Sequence, residues 1–191
     1  MSFWDHPDAR TNVPLREVVV RAEHVHGGEP RWVTMDVQDF VVSMVQTARY
    51  PVRAVPRHAV LSAAVDHFIC MAENGGIYGF VGNGGLIEPL CDYIREGLKV
   101  IGLDALSAIF AELEEFARTE PERFETCDWT DPTIHTLDQR FGALPRDEYF
   151  ERHADWIRGW PDLRVVPGAQ YNAVINEIAE SNLKRRRWWE G

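Results

Sequence analysis

Carboxylates are the chemically active groups that this chain concentrates. Residues 103–131 hold nine of them, Asp104, Glu112, Glu114, Glu115, Glu120, Glu122, Glu125, Asp128 and Asp131, against Arg118 and Arg123, for a local charge of −7 in a chain of net −10. A body charged in this way repels nucleic acid and attracts basic surfaces. The plainer alternative is that the acids only solvate an exposed face. The opposite sign collects at the other end, where residues 184–187 read Lys-Arg-Arg-Arg and are followed by Trp188 and Trp189, leaving residues 1–182 at −13. This basic-aromatic run could stack on nucleic acid or touch an anionic membrane. Four cations are few for membrane attachment, and the run is read as folding against the acidic body or a partner subunit.

The other titratable groups form no recognised catalytic pattern. The seven histidines and three cysteines include no HExxH, GxSxG, P-loop, GxGxxG or Cys/His nucleophile arrangement. Cys70, Cys91 and Cys127 are widely spaced and are expected as reduced thiols. His24 and His26 sit in a His-x-His pattern that would face one way on a strand. With no third ligand within reach in sequence, a solvated turn is expected rather than metal. No cofactor is implied.

The nearest thing to a polar site gathers Asp66, His67, Glu73, Asn74, Tyr78 and Asn83 around residues 73–85, Glu-Asn-Gly-Gly-Ile-Tyr-Gly-Phe-Val-Gly-Asn-Gly-Gly. A flexible spacer would lack aromatics. Here Ile77, Tyr78, Phe80 and Val81 call for burial while the glycines permit turns, so a packed corner between helices is expected. Asp66 and His67 flank the apolar stripe of their helix and suit structural roles. Asn74 and Asn83 suit amides that satisfy loop backbone.

The elements around these residues read as mainly α, a single-domain multi-helix bundle with a small N-terminal β-hairpin. At this length one domain buries roughly 70% of the unfolded surface. The hairpin is expected over 13–35, from Val18-Val19-Val20 and the His26-Gly27-Gly28-Glu29-Pro30 turn. Apolar residues at helical spacing predict helices over about 36–49, 57–73, 86–101, 104–117, 132–141, 146–158 and 169–183. Asp104 and Asp131 are expected as N-caps, and Asn74-Gly75 as a C-terminal cap with Gly75 left-handed. Residues 118–131 are expected as an irregular connection pinned to the body by Phe124 and Trp129, and 163–167 as a short strand beside the hairpin. With no leader or membrane-length apolar run, the cytoplasm is expected.

The order of these motifs resembles a known bacterial family. Asp66 to Phe68, a helix ending in Glu73-Asn74-Gly75-Gly76, an aromatic turn with Tyr78 and Phe80, Asn83 to Gly85, Ile101-Gly102, Ala105 to Ile109 and Leu137-Asp138-Gln139-Arg140-Phe141 are similar to the small helical proteins typified by a bacterial DNA-mimic protein. The likeness covers about 60–157; residues 1–33 and 163–191 lie outside it. The family pattern usually has Gln where this chain has Gly79, and Phe where it has Ile77, so a role carried by that Gln does not transfer. The resemblance implies a homodimer whose carboxylates stand in for DNA phosphates and occupy a basic DNA-binding protein. Duplex DNA presents one charge per roughly 1.7 Å, and helical acids three or four residues apart lie about 5–6 Å from each other. The chain is therefore expected to be a non-enzymatic protein-binding module acting through the nine acids, with residues 73–85 as a fold signature. The competing expectation is an enzyme or small-ligand protein using that glycine-rich corner.

Overall fold

The computed structural model describes residues 13–187, with side chains through residue 182, so the side chains of the basic-aromatic run at 184–189 lie outside the described residues. The elements are β1 (Val18–Arg21), α1 (Ala22–His26), α2 (Pro30–Val42), α3 (Arg57–Gly82), α4 (Leu90–Ile101), α5 (Asp104–Thr119), α6 (Pro121–Thr126), α7 (Pro132–Gly142), α8 (Arg146–Arg158), β2 (Leu163–Val166) and α9 (Gly168–Arg187). The chain is thus mainly α. The elements form two compact units, one of residues 13–63 with 153–187 and the other of Ala64–Arg152. No helix among the described residues is long and apolar enough to cross a membrane.

The first unit corrects the expected hairpin. β1 pairs in parallel with β2, Val18 opposite Leu163 and Arg21 opposite Val166. Residues 22–26 are helical, and Pro30 opens α2, where its missing N–H costs nothing. The reason lies in Val18-Val19-Val20, all fully buried. A hairpin strand with one wet face alternates, whereas an unbroken apolar run suits a strand covered on both faces, the usual state of a parallel pair. Residues 163–166 form a strand as expected, but paired with β1 alone.

α2 buries Val33, Val37, Phe40 and Val41 and continues into a π-turn, Ser43–Thr47, which adds Met44 and Val45. Asp36 is buried on this helix. It accepts the Arg21 backbone N–H at 2.7 Å, the Arg21 guanidinium, and His24 Nδ1–H at 2.9 Å. Arg21 also lies 3.9 Å over the Tyr171 ring. A buried carboxylate is tolerated when paired and hydrogen-bonded in this way. His24 therefore serves Asp36, on a helix rather than on a strand beside a turn, while His26 is exposed in the last turn of α1.

The second unit is built on phenylalanine. Phe68 meets Phe80 edge-on with ring centroids 5.0 Å apart, Phe110 at 5.2 Å and Phe141 at 6.4 Å. Twelve residues of straight helix would separate positions 68 and 80 by about 18 Å, so the chain must turn back between them. It does so at Gly75 (φ −148°) and Gly76 (φ 69°), where α3 loses helical geometry before resuming to residue 82. The expected reversal is present, with two corrections: Gly76 rather than Gly75 takes the left-handed conformation, and 77–81 is helical rather than a turn. The inward stripes of α4, α5 and α7 are those expected, including Leu90, Ile94 and Leu98, Leu106, Ile109, Phe110 and Leu113, and Ile134, Leu137 and Phe141.

His153 supplies a test of the first unit. Its Nε2 lies 2.8 Å from the Ser62 hydroxyl, both side chains are fully buried, and burial pushes the imidazole down to about 3. The folded state keeps the ring neutral while the unfolded state protonates it below its ordinary value near 6.5. Between those two values unfolding takes up a proton, so this contribution to stability falls as pH falls. Unfolding free energies of the wild type from urea denaturation between pH 6 and 4.5 should decline more steeply than those of His153→Gln, by about 1 kcal/mol per pH unit. Equal slopes would show that His153 is not held neutral.

Candidate protein-binding surface

The Ile77 N–H donates to Asp138 Oδ1, and a Cβ on Gly76 would fall 2.7 Å from that oxygen. Asp138, from α7, thus caps the second arm of α3 and occupies the space beside Gly76. Phe80 stands over Gly85, where an added Cβ would meet its ring at 2.5 Å. Asn83 Nδ2 donates to the Gly79 carbonyl at 2.6 Å. Glu73 accepts Arg146 Nε at 2.7 Å and the Tyr149 hydroxyl at 2.8 Å. Asp66 is buried, and His67, edge-on to Phe80 at 6.4 Å, has its pKa lowered by burial. Asn74 is exposed and Tyr78 half-buried. The corner is filled by its own rings and braced by local hydrogen bonds.

The three cysteines are thiols and not disulfides, as expected, and burial, with Glu88 nearby, pushes Cys91 up to about 12. Among the described residues no group of three or more His, Cys, Asp and Glu could hold a metal ion. A cleft of about 220 Å³ opens elsewhere, at the start of α5, lined by Leu103, Asp104, Leu106, Glu148, Tyr149 and Arg152 among others. Arg152 spans it, donating to the Gly102 carbonyl and Glu148 at 3.3 Å each.

The nine acids lie on α5, α6 and the turn that follows. Most of the stretch 118–131, expected to be irregular, is helical: α5 runs to Thr119 and Pro121 starts α6. Phe124 packs on Phe116 at 5.5 Å, as expected. Trp129 does not pin the turn to the body; it is 68% exposed. Asp131 caps α7 as expected, accepting Thr133 N–H at 2.8 Å and Ile134 N–H at 3.4 Å. Asp104 is not a cap; Leu103 holds that position and makes no side-chain capping bond.

Arginines interleave with five of these acids. Glu114 receives Arg95 of α4 at 2.6 and 3.2 Å. Glu112 receives Arg140 of α7, and that bond holds its carboxyl below the ordinary range. Glu115 receives Arg118 at 2.5 Å. Arg123 serves Asp131 through two 2.8 Å bonds and Glu120 at 2.7 Å, with its guanidinium 4.9 Å over the Phe116 ring. Partial burial raises the Asp131 carboxyl, but Arg123 and the α7 N–H groups outweigh it and the net direction is down. Asp128 accepts the hydroxyl and N–H of Thr130. Asp104, Glu122 and Glu125 are exposed and form no ion pair among the described residues.

Charge divides as sharply as structure does. Ala64–Arg152 contains eighteen Asp and Glu against seven Lys and Arg, a net −11, while the remainder of the chain sums to +1. Sequence reading located the acids but missed their partners: Arg95 and Arg140 lie on neighbouring helices, and pairing across helices depends on packing. The sequence motif that contains Asp138 does not by itself show its capping role. Its one signal is a carboxylate bordering the stripe Ile134, Leu137 and Phe141.

These contacts divide acids that support the frame from acids that do not. Gly76→Ala should destabilise the protein by more than 1 kcal/mol, through a left-handed residue and the clash with Asp138. Asp138→Ala and Asp131→Ala should each cost about 1–2 kcal/mol through lost caps. Glu122→Gln and Glu125→Gln should stay within about 0.5 kcal/mol of wild type. Urea denaturation of each variant checks the ranking, and equal effects across the two groups would overturn it.

No curated protein and no solved structure matches the chain. The family model described as DMP19-like protein matches residues 53–160, which takes in all of α3 to α8, the glycine corner and the nine acids. With more than half of its length covered, the chain belongs to the DMP19-like protein family.

Proposed function

We propose that this protein is a non-enzymatic protein-binding module whose acidic unit occupies a basic, DNA-binding protein in place of DNA. The observation that carries the reading is the confinement of charge. The unit of Ala64–Arg152 bears −11, and eight of the nine acids singled out from sequence are exposed or paired only with exposed or half-exposed arginines. Exposed ion pairs of this kind contribute about 0–1 kcal/mol. A partner's arginines can therefore exchange with the protein's own at little cost. Membership of the family supports the same reading, since the resemblance that joins the chain to it implies DNA mimicry. A homodimer, also implied by that resemblance, would double the acidic surface available to a partner. The corner at 73–85 offers no support for the enzyme or ligand-binding alternative, because Phe80, Asp138 and backbone contacts occupy it.

The test is capture of a partner from a lysate of the source cells on the immobilised full chain. A DNA-binding protein should be retained and should be released by duplex DNA and by raised salt, because contacts of this type weaken steeply with ionic strength. The variant carrying Gln in place of Glu112, Glu114, Glu115, Glu120, Glu122 and Glu125 should retain at least about tenfold less, through lost charge attraction. Retention that ignores both the substitutions and salt would sink the proposal.

A further inference from the structure

Building on that reading, we propose that Trp129 is the anchor of the interface, its indole receiving an arginine or lysine side chain of the basic partner, with Glu122, Glu125 and Asp128 as the surrounding counter-charges. Trp129 is the most exposed of the large apolar side chains described, at 68%. Its exposure does not come from a loose loop. On one side Phe124 ties α6 to Phe116 at 5.5 Å. On the other, Asp131 is locked by Arg123 and caps α7. Between these points Asp128 accepts the Thr130 N–H at 2.7 Å, and its carbonyl accepts the Asp131 N–H at 3.1 Å. The indole is therefore presented on a braced turn, whose backbone has little freedom left to lose on binding.

Charge names the occupant. Glu122 and Glu125 are three residues apart on α6, hence on one face, and both are exposed without an ion pair among the described residues. Arg123, the one cation of α6, is committed to Glu120 and Asp131 and so does not neutralise them. All three carboxylates lie within seven residues of Trp129 and are exposed with it; a local charge of this sign repels anions and favours a cation, which the ring itself attracts through its quadrupole. A guanidinium can stack on the indole and donate to a carboxylate at once, so arginine is favoured over lysine. Tryptophans of this kind are the residues that dominate binding energy at protein interfaces.

The experiment uses the full chain and a fluorescently labelled deca-arginine peptide as probe, followed by anisotropy at about 0.1 M salt, where exposed charges are screened beyond roughly 10 Å. Trp129→Ala leaves net charge unchanged and should weaken binding about tenfold, the scale of a cation–π contact that becomes desolvated. Trp129→Phe should recover part of that loss. The triple variant Glu122→Gln, Glu125→Gln, Asp128→Asn should weaken binding and flatten its salt dependence. In protein labelled with 5-fluorotryptophan, the ¹⁹F resonance absent from Trp129→Phe should shift on peptide addition. If Trp129→Ala binds as wild type while the triple variant fails, the anchor is overturned and the acidic-surface reading stands. If the wild type does not bind the peptide, both fall. If Trp129→Ala instead dissociates a dimer without changing peptide affinity, the indole belongs to a contact between copies and the proposal is overturned.

Discussion

The acidic unit depends on one contact, the edge-to-face meeting of Phe68 and Phe80 at 5.0 Å within a single run of helix. Two rings twelve residues apart cannot meet unless the helix reverses, and reversal needs a residue that accepts a positive φ. Gly76 supplies that residue, and Asp138 both fills the space a side chain there would need and caps the arm that follows. The rest is consequent. Phe110 and Phe141 close on the same centre, which places α5 and α7 with their apolar stripes inward and so turns Glu112 and Glu115 out to solvent. The glycine-rich stretch thereby fixes the frame from which the acids project.

Keeping that frame folded under a charge of −11 is a separate problem, since like charges oppose compaction. Two devices relieve it. Each unpaired acid on α6 faces outward, where water and salt screen it. The arginines are placed as cross-links as well as neutralisers: Arg95 joins α4 to α5, Arg140 joins α7 to α5, and Arg123 joins α6 to the start of α7. Single exposed pairs contribute little, but Arg123 gathers two carboxylates, a threonine hydroxyl and an aromatic face. A network of that kind is where surface ion pairs hold geometry.

How far the sequence could be read follows from the range of each interaction. The helical stripes were legible because burial repeats within each segment, and Val37, Phe40 and Met44 or Ile134, Leu137 and Phe141 state the period outright. The Asp131 cap was legible because a cap is local. Val18-Val19-Val20 announced a strand but not its partner, since β2 lies more than 140 residues away, and the nearby Gly27-Gly28 made a hairpin the economical choice. Trp129 was assigned inward on hydrophobicity alone, which says what burial would gain and nothing about whether a surface is there to receive it. The acids were found at once, because charge is written in composition. Their division into paired and free was not, because Arg95 and Arg140 reach α5 only after α4 and α7 have packed.

That division bears on how a protein threaded with arginines can still present a negative field. An ion pair cancels one charge of each sign, so even complete pairing of the seven cations in Ala64–Arg152 leaves eleven carboxylates uncompensated. What pairing alters is distribution. Glu112, Glu114 and Glu115 on α5 are each muted by an arginine, whereas Glu122 and Glu125 on α6, with Asp128 and the exposed Trp129 in the next turn, are not. On the proposed reading, the carboxylates nearest in sequence to the large exposed aromatic are therefore the ones left to attract a basic surface. At the α5 end such a partner would meet acids already held by arginine and would engage them by exchange. Attraction over distance and adhesion at contact would thus fall to adjacent elements, and both rest on the same phenylalanine core.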